Sequence, residues 1–328
     1  MVRELRAGYK QLAGFSINMF TDDELALIHQ ATLNVLENTG LMVMNEEAQE
    51  IFYSHGCQVN KGTSIVKVPS YIVEEAIRSA PSEILLAGRC PDHDYTMGGR
   101  RVGFTNFGVA VNMFDLETGQ IRNSTYKDAI EAATMVDALE GIDVHLAPLT
   151  SRDKPPQVQN FYTAEAALNN CSKHFIHLEI LSTDDVRNYV AMGEAVAGSI
   201  EELRRRPIIS VVISVISPLQ LYKDTCEVII ETARQGIPIM VAAEVMAGAS
   251  APVTLAGALV QHNAEVLGGL VLSQLTKKGA PVVIFSSSQM FDLKAVNAGV
   301  GDPEYAMINA ALAEIADFYN LPCVCGGT

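Results

Sequence analysis

Tryptophan is absent from this chain, so an aromatic cage for a ligand would have to be built from its 10 tyrosines and 11 phenylalanines. Cysteine is sparse. The six residues at 57, 90, 171, 226, 323 and 325 are scattered and include no CxxC pair, which is the usage of reduced thiols rather than of a disulfide framework. Cys323 and Cys325 alternate onto one face of a predicted strand, but no histidine stands nearby at ligand spacing, and no metal site is expected. Positive charge is also short. With 23 Lys and Arg against 38 Asp and Glu the formal net charge is −15. That argues against nucleic acid and against an anionic membrane surface as partners, and leaves a cationic small molecule permitted. No apolar run reads as a spanning segment of about 18–20 residues, and the opening MVRELRAGYKQLAG lacks a signal core. Both absences point to a cytoplasmic protein.

What is present is a large apolar content, 48% of residues against 19% charged, the balance of a globular chain. Thr21-Asp22-Asp23-Glu24 precedes an amphipathic run that ends before Gly40, a capping box followed by a helix. Further helices are predicted over 45–55 and 69–79, with a strand near 62–68 and a β-rich stretch over 82–124. These make residues 1–100 an N-terminal α+β extension. From about residue 101 apolar strands alternate with helices. Strands are predicted at 102–111, 143–148, 174–180, 207–215, 237–243, 281–286 and 321–326, with helices over 125–139, 158–170, 183–196, 221–235, 252–277 and 303–319. Alternation of this kind means βαβ units and a parallel sheet. No GxGxxG and no GxxxxGK[ST] follows a strand, so a dinucleotide- or nucleotide-binding doubly wound fold is not supported. The pattern fits a (β/α)8 barrel whose last strand is missing from residues 101–328.

In such a barrel the chemistry sits at the carboxyl ends of the strands. Reading those ends yields Asn106 and Phe107, Pro148 and Thr150, Glu179, Ser214 and Ser217, Glu244, the run Ser286-Ser287-Ser288-Gln289, and Gly326-Gly327. Glu179 and Glu244 are the two acids. In an apolar mouth either would hold a cation or exchange a proton. The segment 238–275 is the most complete unit: strand, Glu244, a small-residue loop, then a helix with Ser250 as its expected N-cap and Pro252 in its first turn. The serine run lacks a GxSxG elbow, so no nucleophilic serine is expected. His174 and His177, three apart in a strand, point to opposite faces and read as buried, hydrogen-bonded groups. His262 reads as a packing or subunit-face residue, and Arg204-Arg205-Arg206 as a solvated turn.

Residues 246–275 (MAGASAPVTLAGALVQHNAEVLGGLVLSQL), 279–288 (GAPVVIFSSS) and 301–322 (GDPEYAMINAALAEIADFYNLP) resemble the trimethylamine methyltransferase family, as do LALIHQATLNVLENTG and LAGRCPDHDYTMGG nearer the N-terminus. The resemblance implies a (β/α)8 barrel that moves a methyl group from trimethylamine to the Co(I) corrinoid (cobalamin) of a separate, cognate corrinoid protein, in methylamine metabolism, methanogenesis or acetogenesis. It implies a pyrrolysine encoded by an amber codon just beyond Gly326-Gly327-Thr328, where translation would stop if the codon were read as a terminator. By position, Glu244 and Glu179 would stand near the amine, and Phe107, Ser286, Gln289 and Gly327 would line its site. The family also holds demethylases of glycine betaine and other quaternary amines that lack pyrrolysine, and an inactive short paralogue acting as a binding protein is a third possibility. A homo-oligomer is expected, and the long apolar helix 252–277 reads either as its subunit interface or as barrel packing.

Overall fold

A computed structural model of the protein describes residues 18–99 and 101–327. By its internal contacts the chain forms two compact units. The described residues of one are 84–99, 101–180 and 184–212, and those of the other 18–83, 181–183 and 213–327.

The second unit is built on a parallel ladder. The strand Ile239–Ala243 pairs with Val282–Ser286, and Val282–Ser286 pairs with Cys323–Cys325. All five side chains of each of the first two strands are buried, as continuous apolar runs demand. One sheet face packs on the helix Leu255–Thr276. Two adjacent glycines set how closely. A Cβ on Gly269 would lie 2.7 Å from Val241 Cγ1, and one on Gly268 would collide with Leu41 Cδ1 on the other side. The helix is thereby clasped between the ladder and the strand Leu41–Val43.

That helix begins at Leu255 with Thr254 as N-cap, its hydroxyl accepting from Gly257 N–H at 3.3 Å. The expected cap, Ser250, is otherwise engaged: its hydroxyl accepts from Met246 N–H at 3.0 Å and closes the preceding loop. The helix is long and apolar enough to cross a membrane by length and composition alone, contrary to the expectation that no such run exists, but most of it is buried within its unit. An oligomer would therefore need a different surface.

The N-terminal elements of this unit follow the sequence closely. Thr21 and Glu24 form the reciprocal capping box of the helix Asp22–Asn34. The chain then winds through a short π-helical turn, Val35–Thr39, to Gly40 at φ 82°. Asn263 of the long helix donates to Thr32 Oγ1 at 3.0 Å and to the Tyr319 hydroxyl at 2.7 Å, tying the first and last helices to it.

The first unit carries the parallel strands His145–Leu146 and Phe175–His177, the latter pairing with residues 209–211 of the strand Ile209–Val215. The helices Tyr126–Ala138, Gln159–Asn170 and Thr183–Ala197 fall within a residue or two of expectation. The stretch 82–124 is β-rich, as two hairpins: Ile84–Leu86 with Tyr95–Met97, and Asn112–Phe114 with Ile121–Asn123. Arg122 grips Asp128 through two bonds of 2.7 and 2.8 Å and so fixes the second hairpin to the following helix.

The expected first barrel strand, 102–111, is not regular. Its parallel pairing is confined to two isolated bridges, Thr105 with Val144 and Ala110 with Leu149. Between them the Asn106 side chain substitutes for a strand. Its Nδ2 donates to Leu146 carbonyl at 2.6 Å and its Oδ1 accepts from Leu146 N–H at 3.0 Å. Gly108 presses against the Ala147 carbonyl, leaving no room for a Cβ. Nor is the arginine run a solvated turn throughout: Arg206 makes a two-pronged pair with Asp94 at 2.6 and 2.8 Å.

Candidate functional site

The ladder of the second unit determines where Glu244 points. Paired residues of a parallel sheet share a face, so Val241, Ala243, Ile284, Ser286, Cys323 and Cys325 lie on one side. Val241 packs on Gly269, which makes this the helix side. Continuing the alternation by one residue sends Glu244 to the opposite face with Met240 and Ala242. Its side chain is accessible to solvent, and among the described residues no hydrogen bond reaches its carboxylate. Surrounding protein nevertheless raises its pKa by desolvation.

Ser286 sits on the helix side and is fully buried; its hydroxyl accepts from Ser288 N–H at 3.2 Å. It supports the turn after the strand. The Ser288 hydroxyl lies between the two strand ends. It donates to the Ala243 carbonyl and accepts from Val245 N–H, both at 3.2 Å. Gln289 is half-buried, and its Oε1 is a buried acceptor without a partner. Gly326 donates its N–H to the Ser286 carbonyl at 2.9 Å, and the Tyr305 hydroxyl occupies the space a Cβ would need there. Gly327 is exposed with open space around it. Thr328 and the pyrrolysine expected beyond it lie outside the described residues.

Two groups on the long helix support these strand ends. Glu265 is fully buried and accepts from Ser217 Oγ at 2.6 Å, Gln261 Nε2 at 2.9 Å and Leu219 N–H at 3.0 Å. Burial raises its pKa while these donors pull it down. Gln261 also donates to the Ser250 carbonyl at 2.8 Å, so one side chain connects the loops that follow two different strands. Sequence reasoning passed over Glu265; the signal it offered was an acid within an almost uninterrupted apolar helix, which must be partnered if buried. His262 is fully buried beside the backbone of Ala243 and Phe285, and burial depresses its pKa to about 4 against the opposing pull of those backbone groups. It is a neutral packing residue.

In the first unit Glu179 follows the strand Phe175–His177. Its Oε1 accepts from Thr150 Oγ1 at 2.7 Å, while Oε2 is buried without a partner. Desolvation raises its pKa and the Thr150 bond opposes this. Its backbone is clamped as well: the carbonyl accepts from Asn160 Nδ2 at 3.1 Å, and the N–H donates to His177 Nδ1 at 3.2 Å. That bond fixes the His177 tautomer. Nδ1 must carry the lone pair, so Nε2 carries the hydrogen and donates to the Asn160 carbonyl at 2.9 Å. His174 is likewise held, by the Pro207 carbonyl at 2.9 Å and Ser210 Oγ at 2.8 Å. Both are buried with pKa values pushed down to about 4, as the expectation of structural histidines required. Phe107 is 75% exposed. Among the described residues no group of three or more His, Cys, Asp or Glu side chains is placed to hold a metal ion.

Residues 6–328 match the family described as "Trimethylamine methyltransferase (MTTB)". A trimethylamine methyltransferase MttB of Desulfitobacterium hafniense (strain DSM 10664 / DCB-2) is 45% identical over 98% of this chain and 65% of its own length. A glycine betaine methyltransferase of Desulfitobacterium hafniense (strain Y51) is 28% identical over 94% of this chain and 64% of its own. The chain thus spans a little under two thirds of the length of these relatives. Among solved structures, the crystal structure of the hydroxylamine MtmB complex superposes with a TM-score of 0.53 at 14% identity, covering 92% of this chain and 67% of that one, a likeness of fold.

Proposed function

We infer what this chain does from one premise: it belongs to the trimethylamine methyltransferase family. It has a mixed α/β fold, and the reading it supports best is the greater part of an incomplete (β/α)8 barrel that transfers a methyl group from trimethylamine to a corrinoid carried by a cognate partner protein. The observation that carries the substrate is the gap in identity, 45% to a trimethylamine methyltransferase against 28% to a glycine betaine methyltransferase.

The chemistry asks little of the chain beyond placement and proton control. Dimethylamine leaves as a neutral molecule only if the nitrogen is cationic while its C–N bond breaks, so the proton of trimethylammonium must stay on nitrogen until the methyl has gone. Co(I) of the corrinoid supplies the strong nucleophile for the methyl carbon. Glu244 offers a carboxyl that is accessible and has a raised pKa, suited to hold the ammonium or return a lost proton. Glu179, the other acid that the resemblance implies, offers an unpartnered Oε2 on a clamped backbone. Phe107, Gln289 and Gly327 would line the amine site, and Ser286 would contribute through the turn it braces. A quaternary amine such as glycine betaine carries no N–H and has no need of the proton function.

The test uses the whole protein containing this chain, with its corrinoid protein reduced to Co(I), and follows methylation by visible absorbance. Trimethylamine should support transfer and glycine betaine should not. Transfer from glycine betaine alone would establish the quaternary-amine reading, and transfer from neither would favour a binding protein.

A further inference from the structure

We propose that Ser288 is the positioning residue for Glu244, holding its peptide in place through a hydroxyl that replaces the missing rungs of the ladder. The proposal rests on the reading of Glu244 as a site acid. Pairing runs in register from Ile239 with Val282 to Ala243 with Ser286, breaks, and resumes at Met246 with Gln289. Both strands skip two residues, 244–245 and 287–288. An interruption in a buried parallel ladder leaves backbone groups without partners, and each would cost stability unless satisfied. The Ser288 hydroxyl serves two of them. It donates to the carbonyl of Ala243 and accepts from the N–H of Val245, the peptide groups on either side of Glu244. With both flanks fixed by one atom, the direction in which Glu244 leaves the sheet is fixed too.

Ser288 is itself immobilised. It is fully buried, its N–H donates to Ser286 Oγ at 3.2 Å, and its carbonyl accepts from Asn309 Nδ2 at 3.0 Å. Gln289 N–H donates to the Val245 carbonyl at 3.0 Å and closes the far side of the gap. The hydroxyl has used its hydrogen on Ala243, so Ser288 is no nucleophile; its role is support.

The experiment is a double-mutant cycle on methyl transfer by the whole protein, with Ser288→Ala, Glu244→Gln and the pair. Ser288→Ala should lower kcat about tenfold with KM little changed, the scale of a misplaced catalytic group. In the Glu244→Gln background the same change should have no further effect. The limb of the pH profile removed by Glu244→Gln should move in Ser288→Ala and stay in place in Ser288→Thr, which keeps the hydroxyl. If Ser288→Ala does not fold, Ser288→Cys, close in volume but a poor donor, takes its place. An unchanged rate in Glu244→Gln overturns the reading of Glu244. A reduced rate in Glu244→Gln combined with an independent, multiplicative effect of Ser288→Ala overturns this proposal and leaves that reading intact.

Discussion

The carboxylate of Glu265 lies 2.6 Å from the Ser217 hydroxyl, a buried acid in the long helix holding the turn that follows the strand Ile209–Val215. Two more donors, Leu219 N–H and Gln261 Nε2, converge on it. Glu265→Ala would strand all three and open a cavity. The donors are half-buried and partly reachable by water, so the main cost is the cavity left by a fully buried side chain, and a loss of about 2 kcal/mol or more is expected in urea unfolding. Glu265→Gln keeps the volume but turns an amide toward donors, and should fall between wild type and alanine.

Gly269 supplies a packing test. A methyl there would press on Val241 Cγ1 and, at 3.3 Å, on Ile229 Cδ1. Both neighbours are fully buried and have nowhere to move. Gly269→Ala should therefore destabilise by about 1–3 kcal/mol, although alanine favours helix by up to about 1 kcal/mol. A higher Tm than wild type would show that the helix is not seated on the sheet as described.

Thr150→Val isolates the control of Glu179. The Thr150 hydrogen bond lowers a carboxyl pKa that burial raises. Removing the bond should lift the pKa further, so Glu179 stays protonated to higher pH than in wild type. Carboxyl carbon NMR reads this directly. No shift, or a downward one, would mean that Thr150 does not hold the carboxylate.

Acid should weaken the fold. His145, His174, His177 and His262 are buried with pKa values near 4 against 6.5 for the free group. Their folded pKa lies below the unfolded one, so protons bind preferentially to the unfolded chain as pH falls. The stability of keeping them neutral is complete above about pH 6.5 and is lost as pH approaches 4, on the order of 3 kcal/mol per histidine. Glu179, Glu244 and Glu265, with raised pKa values, act in the opposite sense and regain stability on acidification. The four histidines, each displaced over the whole window, should prevail: the urea midpoint at pH 5 should lie below that at pH 7.

The parts of the fold that showed in the sequence are those set by local pattern. Strand runs such as 209–215 and 239–243 are apolar at every buried position but Ser210, and the helices between them repeat with helical period, so element order and bounds could be read to within a few residues. Errors arose where a residue had a competing use. Ser250 has the chemistry of an N-cap but spends its hydroxyl on Met246, and the helix waits for Thr254. The strand expected over 102–111 dissolves because Asn106 pairs through its side chain with Leu146, 40 residues away. The candidate acids were legible as strand-end carboxyls, but Glu265 was passed over and Ser288 stood only as one member of a strand-end serine run, because their roles exist only in contact with Ser217, Ala243 and Val245.

By itself, then, the sequence determined the alternation of strands and helices, the acidic balance, and which acids stand at strand ends, since these follow from composition and from periods of 2 and 3.6 residues. Only the tertiary structure decided which face Glu244 leaves by, which oxygen of Glu179 goes unpartnered, which tautomer His177 adopts, and which serine braces the turn. Those properties depend on hydrogen-bond partners and on loss of water, and both come from residues distant in the chain that folding alone brings together.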